Sequence, residues 1–162
     1  MDAFISSLCE KIASPPGVEA QMKMAPIHRE KEYRIPSSDY RSSAVSLILF
    51  PSKDQVLQSI LIQRPIYKGA HSGQMALPGG KLEKNESTLD AAIRETKEEI
   101  DLDLTSKNHL GALTDLYIPV SNFLVFPFVG VSQTTPHFIK EEKEVERIIE
   151  IPLRLLFDEK NK

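Results

Sequence analysis

One long amphipathic helix, set between strand-like segments, most constrains the fold of this chain. Between Ser87 and Ile100 a mainly apolar stripe recurs at helical spacing, formed by Leu89, Ala92, Ile93, Thr96 and Ile100. Ser87 with Asp90 resembles a capping box, which predicts where the helix begins. Strand-like runs precede it at 44–50, 59–63 and 73–77 and follow it at 109–118, 123–131 and 145–151. Strands on both sides of one helix predict a mixed α/β or α+β fold in which helices cover a sheet.

Composition limits the class of protein. The 162 residues are 41% hydrophobic and 27% charged, with a formal net charge of −3, which is typical of one globular domain. This balance gives no basic surface for nucleic acid, and no apolar run approaches the ~18 residues of a membrane span. The lone Cys9 forms no internal disulfide, and the N-terminus has no signal-peptide pattern. We therefore expect a cytoplasmic protein without nucleic-acid or membrane partners.

The chain divides into a lead segment and one domain. We assign residues 1–41 to an N-terminal helix, ended by Pro15-Pro16-Gly17, and an irregular lead-in over 18–36. Residues 42–162 form the domain, in which 44–50 and 59–63 are expected to pair as a hairpin. A short helical turn is predicted from Pro152.

Three acidic side chains share one side of the central helix. Glu95, Glu98 and Glu99 are spaced i, i+3 and i+4, beside the apolar stripe, where their charges repel one another. Arg94 and Lys97 are expected to point away from the centre of this group. Carboxylate oxygens are the ligands that Mg²⁺ and Mn²⁺ prefer. Three glutamates on a helix are more often a solvated face.

The residues before the helix favour the metal site. Gly79 and Gly80 follow a short strand and allow a close turn of main chain. Glu86 lies in the loop leading to the helix, where it can supply a fourth carboxylate.

In full, the stretch Gly80-x5-Glu86-x7-Arg94-Glu95-x2-Glu98-Glu99 resembles the Nudix box. The resemblance implies an α/β fold, the Nudix-type α/β/α sandwich, with a mixed sheet and a loop–helix–loop catalytic motif. It also implies hydrolysis of a nucleoside diphosphate linked to another moiety, with Mg²⁺ or Mn²⁺ as cofactor. Two positions depart from the pattern: Asp101 replaces the last glycine, and Thr96 replaces an aliphatic residue. Thr96 keeps the shape of valine, and its hydroxyl needs a partner such as a carbonyl one turn back.

The same resemblance implies roles for the acidic residues. Glu95 and Glu99 would be the principal metal ligands, Glu98 a ligand or the general base, and Glu86 the support of a further ion. Arg94 would hold the glutamates in place. Glu144, which lies in a charged run typical of a solvated edge, is a minor candidate for the base.

The flanking sequence resembles the coenzyme A pyrophosphatase branch of this family, through Arg64, Gly73 and Pro78-Gly79-Gly80. This implies a small-molecule substrate, coenzyme A or a derivative, cleaved to 3′,5′-ADP and 4′-phosphopantetheine. Arg64, His71, Gly79 and Gly80 are the candidate substrate-binding residues, although Arg64 equally fits a surface salt bridge and His71 an ordinary loop position.

Other functions stay open, because Gly69 stands where that branch usually has an arginine. ADP-ribose, a dinucleoside polyphosphate or a nucleoside triphosphate is the alternative substrate, and a non-catalytic nucleotide-binding module is the alternative function. A homodimer is possible.

Overall fold

The computed structural model describes residues 2–23, 39–68, 71–158 and 160. In chain order the elements are α1 (Asp2–Ile12), α2 (Gly17–Lys23), β1 (Arg41–Pro51), β2 (Leu57–Gln63), β3 (Met75–Ala76), β4 (Gly79–Lys81), α3 (Thr88–Ile100), β5 (His109–Ala112), β6 (Leu116–Ile118), β7 (Phe123–Val131) and β8 (Arg147–Pro152). A 3-10 helix over Leu153–Phe157 follows β8, at the place predicted for a helical turn. Among the described residues, no helix has the length and apolar character needed to cross a membrane.

Within the described residues, eight strands form one mixed sheet, centred on β1 and β7. These two strands run parallel over nine residue pairs, from Arg41 opposite Phe123 to Leu49 opposite Val131. The other strand pairs are antiparallel, including the predicted hairpin of β1 and β2. The sheet with its helices gives the α/β architecture that the sequence predicts.

The strands β1 and β2 pair only next to the turn that connects them. Farther from the turn, β3 pairs with β2 and β4 pairs with β1. β2 pairs with β1 only near Ser59 and then with β3 at Ile62 and Gln63. β4 pairs with the first half of β1, so that Gly79 lies opposite Val45. The two glycines therefore sit inside the sheet, at the N-terminal side of α3.

Alternate residues of β1 face opposite layers. Ile48 contributes to a buried cluster that includes Ile100 of α3, whereas Leu49 packs in a second cluster with Ile12 of α1. Because successive side chains of a strand point to opposite faces, the two helices cover opposite sides of the sheet.

The two ends of α3 follow the sequence closely. The Ser87 side chain accepts a hydrogen bond from the Asp90 amide, which caps the N-terminus. Asp101 adopts the left-handed conformation at φ 54° and donates its N–H to the Lys97 carbonyl. Thr96 is fully buried, and its Oγ1 lies 2.7 Å from the Ala92 carbonyl, as its position predicts.

Two local predictions are wrong. α2 occupies Gly17–Lys23, where an irregular lead-in is predicted, because a helix of only about two turns leaves too short a pattern to detect. Residues 24–38 lie outside the described residues. The single strand predicted over 109–118 is two strands, separated after Ala112, and Gly111 adopts φ +153° beside a register shift in β5.

Candidate active site

Two glycines bring the main chain against the acidic face of α3. A Cβ on Gly80 would lie 2.4 Å from the carboxylate atoms of Glu95. Gly79 adopts φ +148°, and a Cβ there would lie 2.2 Å from the main-chain oxygen of Ala44. Both positions therefore need glycine, the first to admit a carboxylate and the second to fit against β1.

Glu99 is buried at this contact. Its side chain is among the largest fully enclosed ones, and the residue is 2% exposed. Its Oε2 accepts a 2.7 Å hydrogen bond from the Gly79 N–H. Burial raises the pKa of the Glu99 carboxyl to about 7, against the lowering effects of the Gly79 hydrogen bond and of Arg64. The fold thus holds an acid here in surroundings that disfavour its negative charge.

Three carboxylates meet at this point. Glu95, Glu99 and Glu144 each place an oxygen within 4.8 Å of the others. Burial is also the main cause that raises the pKa of Glu95, and Glu144 adds its charge to both neighbours. Clustered, partly buried oxygens that repel one another suit a hard divalent cation, which offsets that repulsion. The residues present fit Mg²⁺ or Mn²⁺.

Arg94 donates hydrogen bonds to three carboxylates, one of which belongs to the cluster. Its Nε and Nη2 donate to the two carboxylate oxygens of Glu86 at 2.8 and 3.1 Å, and its Nη1 donates to Glu95 at 2.9 Å and to Glu98 at 2.8 Å. Its Nη2 also donates to the Lys81 carbonyl at 3.1 Å. This hydrogen bonding raises the pKa of Arg94 and lowers that of Glu86.

The prediction that Arg94 points away from the acidic group is therefore wrong, because the guanidinium folds back along the helix to reach three carboxylates. Lys97 does point away, and its Nζ lies 2.8 Å from Asp101. Glu86 and Glu98 are held on the Arg94 side and are not part of the three-carboxylate cluster. Glu144, from the segment between β7 and β8, is part of it.

A pocket of about 550 Å³ borders the same two glycines. Arg64 and His71 both line it, as do Gly79 and Gly80. The Arg64 Nη2 donates a 3.1 Å hydrogen bond to the Gly79 carbonyl, which holds the guanidinium at the junction of the pocket and Glu99. The His71 Nδ1 lies 2.9 Å from the Gln74 Oε1, in an exposed turn. The four candidate substrate-binding residues therefore share one cavity. Gly69 lies outside the described residues.

Sequence reasoning missed the far end of this pocket. Arg41, to which the sequence assigns no role, lines it together with Ser121 and Phe123. The parallel pairing of β1 with β7 brings together Arg41 and Phe123, which are 82 residues apart in sequence. The position of Arg41 at the start of a buried strand can be read from the sequence. The residues that it contacts depend on the pairing of β1 with β7.

Known proteins resemble this chain over most of its length. A family model described as NUDIX domain matches residues 40–161. Nudix hydrolase 3 of Caenorhabditis elegans is 29% identical over 137 residues, covering 80% of this chain and 56% of that protein. Nudix hydrolase 15, mitochondrial, of Arabidopsis thaliana is 30% identical over 151 residues, covering 88% of this chain and 49% of that protein. The chain thus spans about half the length of these curated relatives.

Solved structures share the fold. The crystal structure of a MutT/nudix family protein from Enterococcus faecalis superposes with a TM-score of 0.60 at 22% identity, covering 80% of this chain and 52% of that one. At this level of identity the similarity establishes the architecture.

Proposed function

The chain belongs to the Nudix family, and we propose that it is a divalent-metal-dependent hydrolase of a nucleoside diphosphate linked to another moiety. The observation that carries the proposal is the meeting of Glu95, Glu99 and Glu144 beside a pocket bordered by Gly79 and Gly80. The cluster would hold the ion and the pocket the substrate. A protein that only binds nucleotides has no need to bear the mutual repulsion of these acids.

The residues that would hold the ion are Glu95, Glu99 and Glu144. A bound Mg²⁺ or Mn²⁺ supplies charge neutralisation of the diphosphate and Lewis acidity toward a phosphoryl oxygen. Glu99 is the fixed member, since the Gly79 N–H holds one of its oxygens. Arg94 occupies both oxygens of Glu86 and one oxygen of Glu98, so Glu86 would support a further ion only after Arg94 releases it, whereas Glu98 would offer its Oε1.

Arg94 is a positioning residue. It touches Glu95 directly and fixes the direction in which that carboxylate faces Gly80. Such outer contacts on ligating carboxylates orient them for the ion.

Two residues are candidates for the proton acceptor. Glu144 belongs to the cluster and comes from the segment between β7 and β8, and its side chain is exposed. Glu98 has a half-exposed side chain, and its Oε2 accepts a 2.8 Å hydrogen bond from the Arg94 Nη1. Because Glu144 would hold the ion through one carboxylate oxygen, we favour its second oxygen as the acceptor of the proton from the attacking water.

Coenzyme A or a derivative is the substrate that we propose first. The support comes from the flanking residues Arg64, Gly73 and Pro78-Gly79-Gly80, of which Arg64 and the two glycines line the pocket. Arg64 is placed to pair with a phosphate beside the carboxylates. Cleavage would give 3′,5′-ADP and 4′-phosphopantetheine.

The test is a substrate panel. Coenzyme A, acetyl-coenzyme A, ADP-ribose, NADH, diadenosine tetraphosphate and dGTP are incubated with Mg²⁺ and then Mn²⁺, and products are separated by chromatography. Release of 3′,5′-ADP from coenzyme A, lost in Glu99→Gln, supports the full proposal. Cleavage of another substrate alone keeps the hydrolase and rejects coenzyme A. A folded protein that cleaves none of the panel favours the binding module.

A further inference from the structure

One wall of the pocket is a stripe of side chains that runs away from the carboxylates. Arg41, Ser43 and Val45 alternate along β1 and all line the cavity, as do Phe123 and Val125 opposite them on β7. Val45 pairs with Gly79, at the carboxylate end. Four residues of extended strand separate Val45 from Arg41, or about 13 Å at the usual rise per residue. Arg41 therefore lies at the opposite end of the pocket from the proposed cleavage point.

Arg41 is held in a defined position there. Its guanidinium carbon lies 4.2 Å from the centre of the Phe123 ring, and its Nη2 donates a hydrogen bond of 2.6 Å to the Ser121 carbonyl. Because the guanidinium is stacked on a ring and anchored through one nitrogen, it has little conformational freedom left to lose when a ligand binds. Its planar shape matches the oxygens of a phosphate group.

Ser121 adds an independent sign of a ligand. The residue is 8% exposed and lines the pocket. Its hydroxyl Oγ is buried and has no hydrogen-bond partner among the described residues. Buried hydroxyls are seldom unpaired, so one at a cavity wall indicates a group that enters the cavity.

From these contacts, and resting on the proposed function, we infer that the Arg41 corner (Arg41, Ser121 and Phe123) binds a second anionic group of the substrate. That group is a phosphate monoester on the nucleoside, separate from the diphosphate at the carboxylates. The chain has a net charge of −3, so a substrate with an additional phosphate needs a cation where that phosphate lies. Arg64 serves one end of the pocket and Arg41 the other.

The test compares nucleotides that differ by one phosphate. Binding of 3′,5′-ADP, 2′,5′-ADP and 5′-AMP is measured by calorimetry in the presence of EDTA, which removes any effect of metal or turnover. We expect the wild type to bind a bisphosphate roughly ten- to hundredfold more tightly than AMP, and Arg41→Gln to bring that ratio close to one. Ser121→Ala is expected to reduce the ratio less.

Two further variants separate the corner from general effects. Arg154→Gln removes an exposed arginine from the 3-10 helix after β8 and is expected to leave the ratio unchanged. Arg41→Lys keeps the charge without the planar fork and is expected to keep part of the preference. Thermal melts of each variant show that it is folded.

The binding measurements can support or overturn the role of the Arg41 corner whether or not the protein hydrolyses a substrate of the panel. Equal binding of AMP and both bisphosphates by the wild type overturns the inference, as does a preference that persists in Arg41→Gln. If Arg41→Gln weakens the binding of AMP as much as the binding of the bisphosphates, the Arg41 corner binds the nucleobase. That result also overturns the inference. A phosphate preference that depends on Arg41 supports it even where no substrate of the panel is hydrolysed.

Discussion

The buried carboxylate of Glu99 accepts a 2.7 Å hydrogen bond from the main-chain N–H of Gly79, which precedes it by 20 residues. This bond joins the helix that carries the acids to the segment that borders the pocket. Neither side can move alone, because Gly79 is inserted against β1 and Glu99 is enclosed. The position of the carboxylate cluster relative to the pocket is thus set by the main chain.

Gly79 and Gly80 are needed for different reasons, so replacing each with alanine is expected to have a different effect. In Gly80→Ala the new methyl group meets the flexible end of Glu95, so the carboxylate is displaced while the fold persists. We expect Mn²⁺ affinity to fall roughly tenfold or more, with a small change in melting temperature.

Gly79→Ala is the matched variant, and there the methyl group meets main-chain atoms of β1. We expect a loss of unfolding free energy on the order of 3 kcal/mol. Urea unfolding of both proteins checks the pair, and a Gly80→Ala protein that is as unstable as Gly79→Ala would refute the distinction.

The buried acid makes stability depend on pH when no metal is present. The pKa of Glu99 is raised from 4.5 to about 7 in the folded protein, so between these values the folded state holds a proton that the unfolded state has released. Stability therefore falls as pH rises from about 4.5 through 7, by roughly 3 kcal/mol at most, and stays low above that range.

Glu99→Gln keeps an acceptor for the Gly79 N–H and removes the titration. In EDTA we expect this variant to be more stable than the wild type at pH 8 and to show a smaller decline between pH 5.5 and 8, because Glu95 also has a raised pKa. Urea unfolding at three pH values measures both. Parallel profiles for the two proteins would show that the penalty does not come from Glu99.

Arg94 positions the acids, so its loss is expected to act through them. Arg94→Gln removes the hydrogen bonds to Glu86, Glu95 and Glu98, and we expect turnover to fall by roughly 10- to 100-fold. Lys97→Gln on the same helix breaks the ion pairs with Asp101 and Asp103, away from the acidic cluster, and is the control. Steady-state kinetics at saturating Mn²⁺ compares them, and equal losses in the two variants would argue against a specific role for Arg94.

Thr96 has a structural role. Its Oγ1 lies 2.7 Å from the Ala92 carbonyl and 3.0 Å from the Ser46 hydroxyl, in a fully buried position between α3 and β1. Thr96→Val keeps the shape and loses these contacts, and we expect a cost of about 1 kcal/mol with no change in metal affinity. Thermal unfolding and Mn²⁺ titration measure the two effects, and a large loss of metal affinity would contradict this assignment.

Local pattern was sufficient for the elements whose partners lie nearby in sequence. The α3 helix is predicted from its stripe and its Ser87 cap, and the β1–β2 hairpin from two apolar runs and a turn. Asp101 tolerates the left-handed conformation that a helix end needs, so its departure from glycine leaves the helix end intact.

The remaining features of the site depend on contacts between residues that are far apart in sequence. The sequence places Glu144 in an ordinary charged run, and only the return of that segment to Glu99 brings it into the cluster. The main chain confirms this return, since the Glu141 N–H donates to the Glu99 carbonyl at 3.0 Å. The direction of the Arg94 side chain and the pairing of Arg41 with Phe123 depend in the same way on tertiary neighbours that no local spacing encodes.

A Mn²⁺ titration followed by electron paramagnetic resonance tests most directly whether Glu95, Glu99 and Glu144 form the metal site. The wild type is compared with Glu99→Gln, Glu144→Gln and the control Glu142→Gln, whose exposed side chain pairs with Lys140 outside the cluster. We expect the first two substitutions to weaken binding by roughly 10-fold or more, while Glu142→Gln binds like the wild type. Wild-type affinity in Glu144→Gln, or no bound Mn²⁺ in the wild type, would contradict the assignment of this cluster as the metal site.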